Sequence, residues 1–430
     1  MSISSNLKEF CNNIKIDNFN EMETSFKEIT KKLNNHYYNL HKDDKSNSYI
    51  VGSVGRNTAI KNTSDLDIIF NLPKSTYKKF DSYDSNGQSQ LLQEVKKVLK
   101  NRYPKTDISG DGQVVVIEFS KYTVELVPAF LQNDNKFKYP DTHDGGSWKY
   151  TDPLSEQDEC DNCNNESNNK YYDFCHIIRA WKNELGFSFS GLLIDTLVYN
   201  HFKKQDYYSE EEDYFKIFKE LLCYLKNCDE EQSFWYAVGS NQKVYNNDCK
   251  FVKKAKESYD KITSSENDEE ELNSVLKELL GSNYNKNKCE KVSNYSIYTF
   301  DNTEEFIYNK FPIDIKYNLI LDCNVSQNGF RDNLLSHILK NNQYLKINKK
   351  LEFFIVSTDC PKPYEIYWKV RNVGPNAEKR NCIRGKILKS NNNFIKERTD
   401  FNGSHYVECY LIKNEVCVAK AHIDVPIYNF

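Results

Sequence analysis

Residues 1 to about 45 carry apolar side chains at helical spacing, first Leu7, Phe10 and Ile14, then Phe26, Ile29 and Leu33. That period predicts helices packed on the back of whatever follows. The polar run HKDDKSN ends the pattern, and from Ile50 the chain reads IVGSVGRNTAIKNTSDLDIIF. Here an apolar start, a Gly52-Ser53 turn and a strand entered by Asp65-Leu66-Asp67 stand in fixed order. Residues 86–100 predict an amphipathic helix over a sheet. QVVVIEF (Gln113 to Phe119) and YTVELVPAF (Tyr122 to Phe130) read as two strands joined by a short turn. FKYPDTHDGGSWKYTDP (Phe137 to Pro153) reads as a Gly-rich loop, with Trp148 a packing residue. In Asn169 to Phe202 an apolar stripe of Ile177, Ile178, Trp181 and Leu185 predicts a buried helix. Residues 211–283 read as mostly helical, and the polar stretch Ser282 to Lys291 as a boundary. From Thr303 short alternating strands with Gly and Asn turns predict a β-sandwich. The expected division is 1–290 and 300–430.

Composition adds limits. A chain of 430 residues can bury sizeable cores in two or three domains. A net charge of −4 excludes a generally basic, nucleic-acid-coating surface. No apolar run has membrane-spanning length and no charged-then-apolar leader stands at Met1, so the expectation is a cytoplasmic protein without membrane insertion. Thirteen scattered cysteines lack the spacing of a disulfide scaffold and are expected reduced. Cys160 and Cys163, with Cys175-His176 downstream, have the spacing of a zinc site. Their surroundings, EQDECDNCNNESNN, read instead as a polar loop that enforces no ligand geometry.

The candidate chemistry lies between Gly52 and Glu125. Successive side chains of a strand point to opposite faces, so Asp65 and Asp67 share a face while Leu66 turns to the core. Paired carboxylates repel unless a cation neutralises them, and an all-oxygen set suits Mg²⁺, with Mn²⁺ as an alternative. Gly52 lets the backbone approach a triphosphate, and Ser53 adds a hydroxyl to the N–H groups of the turn. Glu125, between Val124 and Leu126, would be costly as a lone charge. Beside Asp65 and Asp67 it would complete a two-ion clamp for phosphoryl transfer. Arg179 and Lys182 lie three apart on one helix face, where they can serve a triphosphate or simply be solvated. Gly239-Ser240 repeats the Gly-Ser pair without a following acid pair and reads as a turn.

The ordered set Gly52-Ser53-x2-Arg56, then SDLD, then an acid on an apolar strand resembles the signature of the polymerase-beta-like nucleotidyltransferases. Within them it is most similar to the cGAS/DncV-like group, the CD-NTases. The resemblance implies an α+β fold: a polymerase-beta-like nucleotidyltransferase core with a helical half, followed by a β-sandwich-like sensor domain. It also implies that Gly52, Ser53 and Arg56 lie at the donor nucleoside triphosphate, and that Asp65, Asp67 and Glu125 bind two Mg²⁺. The third acid of relatives is more often Asp, a departure at Glu125. Relatives carry Lys or Arg at the Arg179 position and a polar residue near Ser190, so Arg179, Lys182 and Ser190 join the nucleotide candidates. TEEFIYNKFPIDI, YWKVRNVGPNA, IRGKI and GSHYVECYLIKNEVCVAKAHIDVPI resemble the adenylyl/guanylyl and SMODS C-terminal sensor domain. Trp368, Arg371, Asn372, Arg384, Gly385, His405 and Glu408 are its candidate ligand surface, or a core tryptophan with capping polar groups. The activity implied is template-independent polymerisation of nucleoside triphosphates, ribo or deoxy, into an antiphage signal read by a separate effector, which can be membrane-embedded. Hailong-type antiphage relatives prime DNA synthesis on a C-terminal tyrosine, which makes Tyr428 a candidate acceptor. A non-catalytic nucleotide-binding sensor is the remaining alternative.

Overall fold

A computed structural model describes residues 2–40, 45–205, 213–246, 250–284, 304–327, 332–341, 343–380 and 382–428. Residues up to 284, apart from Lys182–Ser188, form one compact unit; Lys182–Ser188 and the described residues from 304 belong to a second. The expected boundary segment falls largely on 285–303, outside the described residues.

The first unit opens with α1 (Ile3–Asn13) and α2 (Phe19–Tyr38), followed by β1 (Ser48–Val51), the single turn α3 (Gly52–Gly55) and β2 (Asp65–Asn71). Then come α4 (Lys74–Asp81), α5 (Gly87–Lys100), β3 (Asp107–Asp111), β4 (Val114–Glu118), β5 (Thr123–Leu131), β6 (Phe137–Asp141) and β7 (Ser147–Thr151). These strands form one seven-stranded sheet in the order β1-β2-β5-β4-β3, with β6 paired to β5 and β7 to β6. The central pair, β2 and β5, is parallel; the other pairs are antiparallel.

Alternation decides which face is buried. Leu66, Ile68 and Phe70 of β2, Val124 and Leu126 of β5, and Val115 and Ile117 of β4 are buried on one face. Against them pack Met22, Phe26, Ile29 and Leu33 of α2 and Leu91, Leu92, Val95, Val98 and Leu99 of α5, the stripes of two amphipathic helices. The residues between, Asp65, Asp67 and Glu125, are half-buried on the opposite face.

The rest of this unit is α6 (Pro153–Glu166), most of α7 (Lys170–Leu185), α8 (Gly191–Phe202), α9 (Tyr214–Lys226), the hairpin β8 (Phe234–Tyr236) and β9 (Lys243–Tyr245), α10 (Lys250–Ser265) and α11 (Glu269–Leu280). Two segments differ from the sequence expectation. The cysteine-bearing stretch is a helix: Asp152 accepts from the Ser155 N–H as N-cap and Pro153 takes the first turn, while few apolar residues mark its inner face. The Gly-rich loop is the hairpin β6–β7, where Trp148 donates to Asp81 (2.9 Å) and packs on Tyr77 and Phe130.

The second unit holds β10 (Leu319–Ser326), β11 (Asn333–Leu334), α12 (Leu335–Lys340), β12 (Lys350–Thr358), β13 (Glu365–Arg371), α13 (Pro375–Lys379), β14 (Arg384–Ser390), β15 (Phe394–Arg398), β16 (Gly403–Lys413) and β17 (Val416–Ile427). They make two four-stranded sheets, β11-β10-β12-β15 and β14-β13-β16-β17. Cys323, Leu351 and Phe353 of one share a core with Trp368, Val407, Cys409 and Leu411 of the other. The β16–β17 hairpin turns at Asn414 and Glu415, both at positive φ (50° and 61°), as a two-residue turn matched to strand twist requires.

Leu126→Ala, which empties a fully buried position under α2 and α5, is expected to cost about 2–5 kcal/mol, read as a lower denaturant midpoint. The exposed Leu388, changed the same way, should move that midpoint little.

Candidate active site

β1 ends at Val51, opposite Asp67 in the antiparallel register, and the chain turns at once through Gly52 at φ 65°. A Cβ there would stand 1.8 Å from Asp67 Oδ2, so no other residue fits without displacing that carboxylate. The turn closes through Arg56 N–H to Gly52 O (3.0 Å), while the Thr58 and Ala59 N–H groups converge on Ser53 O (2.9 and 3.1 Å). Asp65 and Asp67 are spaced by one residue of β2, and Glu125 of β5 is the register partner of Asp67 across the parallel pair. Neighbouring strands run about 4.8 Å apart, so these acids occupy adjacent positions on one face beside the Gly-Ser turn. Among the described residues no group of three or more His, Cys, Asp and Glu side chains forms a ready-made metal cage. The donor type, carboxylate oxygen only, fits a hard divalent ion. Asp65, Asp67 and Glu125 are the residues that would hold it.

Behind the turn lies a buried ionic cluster. Arg56 donates from Nε to Asp195 Oδ2 (2.9 Å) and from Nη1 to Glu156 Oε2 (3.1 Å). Arg179 grips the same Asp195 with both terminal nitrogens (2.6 and 2.9 Å) and donates to Gly191 O (3.0 Å). Thr58 Oγ1 adds a donor to Asp195 (3.0 Å), and Ser240 Oγ donates to Glu156 Oε1 (3.0 Å). All four charged groups are at most 5% exposed. Burial pushes the Asp195 carboxyl up, but Arg179 and Arg56 more than reverse this and hold it below the ordinary value. At Glu156 burial outweighs Arg56 and Ser240, and its pKa is raised. Burial, then Arg179, takes His176 down to about 4, its Nε2 lying 3.1 Å from Asn57 O.

Arg56 and Arg179, expected at the triphosphate, are thus engaged with Asp195. Lys182 donates to Ile315 O (2.6 Å) within the second unit, and Ser190 is the exposed N-cap residue of α8. Sequence reasoning passed over Asp195 and Glu156. The signal for Asp195 was present: it is a lone acid in the apolar helix GLLIDTLVYNHF, the same mismatch that singled out Glu125. Gly239-Ser240 is the β8–β9 turn, with its serine on Glu156. Cys160 and Cys163 are buried thiols pushed up to about 12 by burial, and Cys160 Sγ lies 3.2 Å from Tyr171 OH.

In the second unit, Trp368 is a core residue whose indole N–H finds no partner among the described residues. Asn372, Arg384 and His405 line a cavity of about 160 Å³ with Phe353 and Val425. Arg384 pairs with Glu397, and His405 Nδ1 accepts from the Val373 N–H (3.0 Å). Arg371 and Glu408 belong to a separate cluster with Lys369. Tyr428 is tied in place: its N–H donates to Leu345 O (3.0 Å), its hydroxyl lies 2.8 Å from Ser404 Oγ, and its ring packs on Tyr344.

The site is thus a Gly-Ser turn set against an acid pair on a mixed sheet, with helices behind. Residues 1–164 match the Second Messenger Oligonucleotide or Dinucleotide Synthetase domain, and residues 301–428 match the Adenylyl/Guanylyl and SMODS C-terminal sensor domain. A "probable cyclic nucleotide synthase" of Bacillus cereus (strain VD146) is 22% identical over 199 residues, 40% of this chain and 60% of that protein. The match therefore spans less than two thirds of that relative's length. Solved structures that resemble it include Escherichia coli MS115-1 CdnC with ATP (TM-score 0.49, 13% identity, 65% of this chain and 98% of that one). Bradyrhizobium diazoefficiens CdnG with GTP gives 0.49 and 8%, over 66% and 97%. Vibrio cholerae DncV with a linear intermediate gives 0.45 and 12%, over 58% and 74%. The chain thus carries a match to a synthetase domain at its start and a match to a sensor domain at its end.

Asp195→Asn leaves two buried guanidinium groups short of a countercharge and is expected to cost about 3–5 kcal/mol. Because the folded state holds the Asp195 pKa below its unfolded value, this contribution is complete at neutral pH. It fades as pH falls below about 4, where the unfolded state takes up the proton first. Chemical denaturation at pH 7 and at about pH 2, well below the unfolded carboxyl's pKa of about 3.9, reads both effects; equal destabilisation by the substitution at the two values would contradict the assignment.

Proposed function

We propose that this chain is a template-independent, divalent-metal-dependent nucleotidyltransferase that joins nucleoside triphosphates into an oligonucleotide signal. The observation that carries the reading is the shared face of Asp65, Asp67 and Glu125 beside Gly52, with Asp67 and Glu125 in direct register. Asp65 and Asp67 orient the donor triphosphate, whose β- and γ-phosphates lie along the N–H groups of the Gly52-Ser53 turn. Glu125, with Asp67, orients the acceptor hydroxyl for in-line attack on the α-phosphorus. Two Mg²⁺ ions, when bound, lower that hydroxyl's pKa and neutralise charge on the departing pyrophosphate. Arg56 acts through position: pinned by Asp195 and Glu156, it fixes the closing end of the turn. A cytoplasmic role in antiphage signalling, with a separate effector reading the product, accords with the synthase and sensor domains matched at the two ends.

Asp65→Asn, Asp67→Asn and Glu125→Gln should each lower pyrophosphate release by about 10²-fold or more, the scale of removing one transition-state-stabilising group. EDTA should abolish release and added Mg²⁺ restore it. The eight common ribo- and deoxyribonucleoside triphosphates, supplied in turn and together, identify the product by chromatography and mass. Undiminished release by Asp65→Asn would end the catalytic reading. Incorporation onto the protein, lost in Tyr428→Phe, would redirect it to self-nucleotidylation.

A further inference from the structure

The segment that begins at Glu304 lies along the outer face of the sheet β14-β13-β16-β17. Ile307 and Ile315 pack on Ile387, Tyr410, Ile412 and Cys417, and the Glu305 N–H donates to Gly385 O (3.0 Å). At its start the Glu304 carboxylate enters a cationic recess. Its Oε1 accepts from Lys369 Nζ and from Tyr406 OH, both at 2.6 Å, and its Oε2 from Arg371 Nε at 2.8 Å. The Lys369 side chain is only 3% exposed, with Phe306 beneath its ammonium at 5.0 Å. Glu408 stands 3.2 Å from Lys369 on the other side, and itself accepts from Tyr410 and faces His422 (3.8 Å). Burial works against the charge on His422, but Asp424 and Glu408 outweigh it and raise its pKa to about 9.

With Glu304 withdrawn, Arg371 Nε would lose its carboxylate, and Lys369 would be left with Glu408, which His422 already approaches. A buried ammonium so placed demands an anion. The donor count says which kind. Three donors meet two oxygens in the present arrangement, with one oxygen serving both Lys369 and Tyr406. A phosphoryl group, with three terminal oxygens, gives each donor its own acceptor. We propose that Lys369, Arg371 and Tyr406 form a phosphoryl-binding site in the second unit, which Glu304 fills as an internal ligand. Gly385 keeps the recess closely fitted: at φ 101°, a Cβ there would press on Glu304 Cα (3.2 Å) and Arg371 Cδ (3.3 Å). The site lies wholly within the second unit and its test reads stability, so it stands or falls apart from the catalytic reading.

Glu304→Ala in the full-length chain should lower the Tm by roughly 5–10 °C. Inorganic phosphate or AMP, titrated against acetate at equal ionic strength, should return most of that loss, and acetate distinctly less. A larger return with AMP identifies a nucleotide as the source; a larger return with inorganic phosphate identifies the free ion. The double variant Glu304→Ala/Lys369→Met should respond to neither. Equal rescue by acetate, no rescue by any anion, or equal rescue of the double variant overturns the proposal. Should Glu304→Ala fail to fold, hydrogen exchange of residues 304–311 in the wild type decides. Phosphate is expected to accelerate it by loosening the Glu304 clasp, and an unchanged rate at saturating phosphate counts against the site.

Discussion

A carboxylate oxygen 1.8 Å from where a Cβ of residue 52 would stand is a hard steric limit, and the first unit is arranged to honour it. Gly52 must be glycine because the chain reverses there at φ 65° and because its backbone lies against Asp67. The limit holds only while β1 keeps Val51 opposite Asp67. A one-residue slip would turn Asp67 toward the apolar side and bring Ile68 to the turn. Register is therefore the quantity the core protects. Leu66, Ile68, Val124 and Leu126 lock it by filling the space under α2 and α5, and the acids remain on the open face as a consequence of that packing.

The second anchor of the turn is electrostatic. Four buried charges around Asp195 balance as two cations and two anions, which keeps their desolvation supportable. Such a cluster contributes less to net stability than to geometry, because each planar guanidinium fork accepts few orientations. Arg56 closes the Gly-Ser turn and is held from α6 by Glu156 and from α8 by Asp195, while Arg179 of α7 holds Asp195 itself. Three helices thereby fix one end of a four-residue turn.

Much of this was legible because the relevant signals have short periods. Alternation about Leu66 placed Asp65 and Asp67 on one face, and the strand pair 113–130 supplied Glu125 as a candidate neighbour. The β2–β5 pairing itself joins segments nearly sixty residues apart and is not written in either one; burial cost at Glu125 pointed to it indirectly. Helical spacing likewise exposed α2 and α5. Where periodicity was weak, the reading failed: α6 carries polar residues on most of its surface, and its local cues are the cap at Asp152 and Pro153 in the first turn. Arg179 shows a different limit. Its type and helix face were readable, but its partner sits sixteen residues on in another helix, and the choice between phosphate and Asp195 depends on tertiary approach.

Saturation separates the ionic clusters of the two units. Asp195 accepts four donors on two oxygens, three on Oδ2 and one on Oδ1, close to all the lone pairs a carboxylate offers. It is also fixed at the buried centre of a helix. Arg179 can reach a phosphate only by breaking two charge-assisted bonds in a dry interior. Glu304 takes three donors and sits at the start of a segment held by strand-edge bonds and apolar contacts, not inside a helix. A buried countercharge that takes four donors inside a helix makes a structural joint; one that takes three at the start of an extended segment leaves room for exchange with solution.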